Sequence, residues 1–126
     1  VVIAKPESKI NIDGAIDTVS NIVTSIQKEV NNYKNVAIWS AGHRALALMA
    51  MAKLEKIKYV IDSATFKQGK FTPILHKKII SPEEFIGIQC DLLIIMLPGN
   101  YAEQVIRFVD EKKITCRVIV FEDKAL

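Results

Sequence analysis

Three features of the sequence point to an α/β domain of three layers, with a five-stranded, mostly parallel sheet and helices on both faces. Short runs that are apolar on both faces recur at Val36–Trp39, Tyr59–Ile61 and Leu92–Leu97, as strands buried between helices require. Helix-patterned segments stand between them, an alternation that right-handed crossovers turn into a parallel sheet. The 126 residues are 50% apolar and 25% charged, the profile of a compact chain of about one domain. The expected architecture is Rossmann-like.

The elements follow in order. Val1–Ile12 has a proline and no period, and reads as a linker or an edge segment. From Ala15 to Lys34, Ile16, Val19, Ile22, Val23, Ile26, Val30 and Tyr33 fall on one helical face. Asp13 is the candidate N-cap of that helix, and Asn31, Asn32 and Asn35 mark its end. Val36–Trp39 is the first strand, Ser40–His43 a turn, and Ala45–Leu54 a helix rich in Ala, Leu and Met. Tyr59–Ile61 is the second strand, ended by Asp62. A polar loop, Ser63–Pro73, leads to a short extended piece at Lys78–Ile80. Ser81-Pro82-Glu83-Glu84 combines an N-cap serine, proline at the first helical position and a glutamate placed to close a capping box. Leu92–Leu97 is the most apolar run and the central strand, broken by Pro98-Gly99. Asn100 and Glu103 open a helix that turns Val105, Ile106 and Val109 inward, and Arg117–Phe121 is the fifth strand. Trp39 and the methionines Met49, Met51 and Met96 are expected to pack in the core.

Composition narrows the function classes. Seventeen Lys and Arg against fourteen Asp and Glu leave a net charge of +3 without a dense basic stripe, so no nucleic-acid partner is expected. No apolar run approaches the ~18 residues of a membrane span, and no membrane partner is expected. Cys90 and Cys116, with two histidines and no C-x-x-C, do not suggest a metal site. They read as reduced, partly buried thiols of a cytoplasmic protein. The chain starts Val-Val-Ile-Ala-Lys-Pro, with no initiator Met and no signal-type segment, and is expected to be part of something longer.

In an open parallel sheet, ligands bind beyond the carboxyl ends of the strands, where strand order reverses. Three loops would meet there: Ser40–Arg44, Asp62–Lys70 and Leu97–Tyr101. The first, with Ser40, Ala41, Gly42, His43 and Arg44, opens a helix whose amino end favours an anion such as a diphosphate. It lacks the G-x-G-x-x-G dinucleotide fingerprint and equally fits a tight turn with no ligand. Asp62, 20 residues after Gly42, stands where an acidic side chain accepts hydrogen bonds from a ribose diol, or simply caps its loop. Lys67, Gln68, Gly69 and Lys70 offer two ammonium groups to a diphosphate, or form a solvated loop. Pro98, Gly99 and Asn100 complete the substrate-binding candidates. His43 and His76 have no nucleophile at a motif spacing, and no residue is assigned a catalytic role.

Several stretches together resemble a known family. They are Trp39-Ser40-Ala41-Gly42-His43, then Asp62 through Lys67-Gln68-Gly69-Lys70 to Pro73, then Ile80-Ser81-Pro82-Glu83, then Asp91–Met96. Over about three-quarters of its length, from Lys34 on, the chain resembles the C-terminal domain of S-adenosylmethionine-dependent C-methyltransferases, including those acting on nucleotide-linked keto-sugars. The D-x-x-x-x-K-Q-G-K-x-x-P stretch is the most specific element. Two positions depart from the pattern: Ser40 stands where the family usually has glycine, and Ile74-Leu75 where it often has a small residue and Thr.

The resemblance implies a substrate-binding and structural domain, not catalytic alone, that packs against a middle domain of the same polypeptide. In the parent enzyme that middle domain binds S-adenosylmethionine and supplies the acid and base groups, so this chain is expected to hold no cofactor itself. The substrate would be a small acceptor such as a nucleotide-linked sugar. Oligomers are compatible with this reading. The alternatives are a free-standing nucleotide-binding module and a docking domain without a ligand. An oxidoreductase ranks last, because the phosphate-binding glycines are missing.

Overall fold

A computed structural model describes residues 8–11, 16–97 and 99–122. Asp13 and Pro98 lie outside these. The described residues form a six-stranded sheet in the order β1-β6-β5-β2-β3-β4, every neighbouring pair parallel. The strands are β1 (Ser8–Asn11), β2 (Val36–Trp39), β3 (Ile57–Ile61), β4 (Lys78–Ile80), β5 (Leu92–Ile95) and β6 (Arg117–Glu122). The helices are α1 (Ile16–Asn31), α2 (His43–Met51), α3 (Pro82–Ile86) and α4 (Gly99–Glu111). All five expected strands are present, and β1 adds a sixth at the edge, pairing Ser8 with Ile119 and Asn11 with Glu122. None of the described helices is long and apolar enough to cross a membrane.

Alternation along each strand builds two cores, one on each face. Val36 and Ile38 of β2 pack with Leu92 and Ile94 of β5 under Ile26 and Val30 of α1 and Ala45 and Met49 of α2. Ala37 and Trp39, with Leu93 and Ile95, face Phe85 of α3 and Ala102, Val105 and Val109 of α4. The result is three layers, α1 and α2 on one face and α3 and α4 on the other. At roughly 25 cal/mol per Å² of apolar surface removed from water, this double core dominates the stabilisation.

Helix boundaries differ from the sequence reading in ways local chemistry explains. α1 ends at Asn31, where Asn32 N donates to Glu29 O and Tyr33 N to Val30 O in a tightened last turn. α2 starts at His43, two residues before the expected Ala45, because extended Gly42 (φ −77°, ψ 166°) already supplies the N-cap, its carbonyl accepting from Leu46 N. It stops at Met51, since Lys53 turns left-handed (φ 52°) and Leu54 N donates back to Met49 O. The capping box at α3 is formed: Ser81 Oγ accepts from Glu84 N at 3.1 Å and Glu84 Oε1 from Ser81 N at 3.2 Å. Trp39, Met49 and Met96 are buried. Met51 corrects the packing expectation. It lies on the outer side of the last turn of α2 and is 55% exposed.

Topology fixes where a ligand can enter. From β2 the chain proceeds to β3 and β4 on one side, then crosses back to lay β5 and β6 on the other. Strand order therefore reverses between β2 and β5. α2 leaves the end of β2 toward one face and α4 leaves the end of β5 toward the opposite face. The two connections diverge and leave a crevice between them.

Candidate functional site

Two clefts open at this reversal point, one on each face, and both are lined by Ser40, Leu97 and Tyr101. The first, about 360 Å³, lies on the α3–α4 face. Trp39, Val105 and Phe108 form an apolar floor, and Asp62, Ser63, Glu83 and Gln104 place polar groups on the wall. The indole of Trp39 is held edge-on by Phe85, with ring centres 5.9 Å apart, and by Phe108 at 5.5 Å. Trp39 is thus both core and cleft floor. The second cleft, about 340 Å³, lies on the α2 face and is lined by Gly42, Arg44, Ala45 and Met96 besides the shared three.

Charge divides between them. The first cleft carries two carboxylates, Asp62 and Glu83, and among the described residues no Lys or Arg side chain lines it. The second is almost wholly apolar, with Arg44 its one charged residue among the described ones, beside the amino end of α2 where the helix dipole adds positive potential.

The D-x-x-x-x-K-Q-G-K stretch braces itself. Asp62 Oδ2 accepts from Ala41 N and Asp62 Oδ1 from Ala64 N, both at 2.8 Å. Lys67 Nζ donates to Ala41 O at 3.3 Å and lies 3.7 Å from Asp62 Oδ2. Gln68 Nε2 donates to Asp62 O at 2.8 Å. Gly69 takes φ +83°, a left-handed turn that suits glycine, and its N–H donates to Ile79 O, while Ile79 N donates to Lys70 O. Asp62, Lys67, Gln68 and Gly69 therefore tie the β3–β4 loop to the β2 turn and to β4. Lys70 is exposed, as are His43, Arg44 and Asn100. Gly99 opens α4.

Ser40 holds the turn in a strained form. Its φ is 136°, in a region L side chains rarely adopt, while its N–H donates to Ile61 O at 2.8 Å and its Oγ accepts from Gly42 N at 3.1 Å. Glycine, which the resemblance leads one to expect at this position, would take this conformation without strain. The serine hydroxyl offsets part of the strain by satisfying Gly42 N. Ser40→Gly is expected to change stability by less than ~1 kcal/mol, since strain relief, the lost hydrogen bond and added chain entropy nearly cancel. Ser40→Val, β-branched at the same φ, is expected to cost on the order of 2–4 kcal/mol. Urea melts of both variants check this, and equal losses would refute the strain account.

The structure thus joins Ser40, Ala41, Gly42, Asp62, Lys67 and Gln68 in one hydrogen-bonded unit. Ser63 and Tyr101 lie in the loops expected to meet here, and Glu83, Gln104 and Phe108 are cleft residues that sequence reading missed. Two of these carried a signal, since Gln104 and Phe108 repeat with Tyr101 at helical spacing beside the core positions Val105 and Val109. Among the described residues, no group of three His, Cys, Asp or Glu is placed to hold a metal ion.

Comparison with known proteins places this geometry. Protein MGF 360-5L of African swine fever virus is 34% identical over 85 residues, covering 59% of this chain and 23% of that protein. Protein MGF 360-7L of the same virus matches to the same extent. The chain spans under a quarter of the length of these curated relatives. Among solved structures, the crystal structure of RSP, a Rex-family repressor, superposes with a TM-score of 0.55 at 16% identity, over 87% of this chain and 61% of that one. At that identity the likeness is one of Rossmann-type fold. The family model described as the C-methyltransferase C-terminal domain matches residues 12–118, from before α1 into β6. With that match running from α1 to the start of β6 and through both clefts, the chain belongs to the C-methyltransferase C-terminal domain family.

Proposed function

We propose that this domain holds the acceptor substrate of an S-adenosylmethionine-dependent C-methyltransferase, and that the acceptor is a nucleotide-linked sugar or a similar small molecule. The observation that carries the reading is the pair of clefts at the β2–β5 reversal point, one with polar groups above an aromatic floor and one largely apolar beside Arg44, joined through Ser40, Leu97 and Tyr101. A nucleotide-linked sugar has the matching division. Its diphosphate suits Arg44 and the amino end of α2, and its uncharged polar part suits the aromatic floor and the hydroxyl, amide and carboxylate groups of the first cleft. The methyl donor and the acid and base groups belong to a preceding domain of the same polypeptide. Binding energy from the non-reacting nucleotide would position the acceptor carbon against the donor. Exposed Phe66, Phe71 and Ile74 on the braced loop support contact with such a domain. Two free, buried thiols support a reducing, cytoplasmic setting.

Titration calorimetry of the chain with a nucleoside diphosphate sugar, S-adenosylmethionine and NAD as separate ligands tests the reading. Binding of the nucleotide sugar alone is expected. Tyr101 is 59% exposed, so Tyr101→Ala should weaken that binding about tenfold with almost no change in melting temperature. Heat from S-adenosylmethionine or NAD, or none from the nucleotide sugar, would sink it.

A further inference from the structure

We propose that the Ser40 hydroxyl is the donor that recognises the sugar-bearing phosphate of the acceptor, so that the site selects esters of a nucleoside diphosphate; this rests on the acceptor-holding role proposed above. Ser40 directly follows β2, at the point where strand order reverses. It lines the clefts on both faces, and among the described residues only Leu97 and Tyr101 share that position. Leu97 offers no polar group and Tyr101 is exposed, whereas Ser40 is 7% exposed. Among the described residues, Ser40 is therefore the one fixed polar side chain where the two clefts meet.

Its hydrogen bonds leave one group unspent. A serine hydroxyl has one proton to donate and can accept through its oxygen. Ser40 Oγ accepts from Gly42 N at 3.1 Å, and the Ser40 backbone N–H donates to Ile61 O at 2.8 Å. Among the described residues, nothing accepts the hydroxyl proton. A buried donor without an acceptor costs free energy, and a ligand oxygen would relieve that cost. The backbone bears a second cost. At φ 136° a residue with a Cβ is strained, and such strain concentrates where a side chain is held for a ligand.

The environment favours an anionic acceptor. Gly42 is the N-cap of α2, so Ser40 Oγ stands over the positive end of that helix. The Gly42 N–H polarises the hydroxyl it donates to, which strengthens the bond the hydroxyl then donates onward. An ionised phosphate oxygen gains most from such a donor, because hydrogen bonds to a charged acceptor are about twice as strong as neutral ones. A sugar hydroxyl, neutral and itself a donor, gains less. With the diphosphate along Arg44 and α2 and the sugar over Trp39, the phosphate that bears the sugar passes from one cleft to the other beside Ser40.

The test is titration calorimetry of the wild-type chain, Ser40→Gly and Ser40→Ala with a nucleoside diphosphate sugar and with the nucleoside diphosphate alone. Both variants lack the hydroxyl, but glycine relieves the backbone strain and alanine keeps it. Ser40→Ala should therefore melt below Ser40→Gly, while binding should not follow that order. Both variants are expected to lose about tenfold in affinity, and by the same factor for either ligand, since each ligand carries the second phosphate. A loss in Ser40→Ala alone would make the shape of the turn the cause and overturn the proposal. A loss confined to the nucleotide sugar would put the hydroxyl on the sugar and overturn it too. Unchanged affinity in both variants, with the wild-type chain still binding, would remove Ser40 and leave the acceptor-holding role standing. A wild-type chain that binds neither ligand would remove both.

Discussion

Phe85→Ala is expected to destabilise the domain by about 3–5 kcal/mol, the usual range for emptying a large aromatic site in a well-packed core. Phe85 has no exposed surface, and its ring meets Trp39 edge-on with ring centres 5.9 Å apart. It is the only residue of α3 that is fully buried, so the short helix is docked through this one side chain. Deleting the ring removes the transfer energy of its apolar atoms and leaves a void that α3, with five residues, can only partly fill by collapsing. Trp39 then loses one of its two aromatic supports and with it the fixed floor of the first cleft. A drop in melting temperature of roughly 10–20 °C should accompany the change. Phe85→Leu keeps most of the volume and should cost about half as much or less. Chemical denaturation of the three proteins decides the matter, and a loss below ~1.5 kcal/mol for the alanine variant would mean that α3 is not held by this contact.

The fold was legible because burial writes a strong signature. β2 and β5 are apolar at every position, and every one of those positions is buried. Ser81 and Glu84 announced the start of α3 through a pairing that depends only on local spacing. β1 was harder. Ser-Lys-Ile-Asn has one apolar residue, and an edge strand held by backbone bonds to β6 alone needs no alternation. Met51 looked like core because composition does not say which side of a helix end faces out. The site was legible as a set of loops but not as a set of roles. Asp62 has the same four acceptor positions whether they meet a ribose or a backbone amide, and only the folded β2 turn decides which. Gln104 and Phe108 were hidden by their neighbours Val105 and Val109, since one helical face serves both core and cleft.

Asp62→Ala is expected to cost about 3 kcal/mol and to loosen the first cleft, although Asp62 is the residue a sequence reader would assign to a ligand. Its carboxylate accepts two backbone N–H groups, Ala41 and Ala64, each at 2.8 Å, and its side chain is only 15% exposed. Hydrogen bonds to a charged partner contribute about 1.5–3 kcal/mol apiece, and removing the acceptor leaves part-buried amides without it. Asp62→Asn should not rescue the fold, because its amide donor must face one of the two N–H groups. The cation opposite matters less. Lys67 is half-buried, its ion pair with Asp62 is long at 3.7 Å, and water screens it, so Lys67→Ala should cost under ~1 kcal/mol. The ordering of the three variants therefore separates two accounts of the motif. If the carboxylate works by organising amides, Asp62→Ala and Asp62→Asn fall together and Lys67→Ala stays near wild type. If the ion pair carries the loop, Asp62→Ala and Lys67→Ala lose the same amount, and the self-braced reading of the stretch fails. Hydrogen exchange supplies the local readout: the amides of Ala41 and Ala64 should lose protection in Asp62→Ala and keep it in Lys67→Ala.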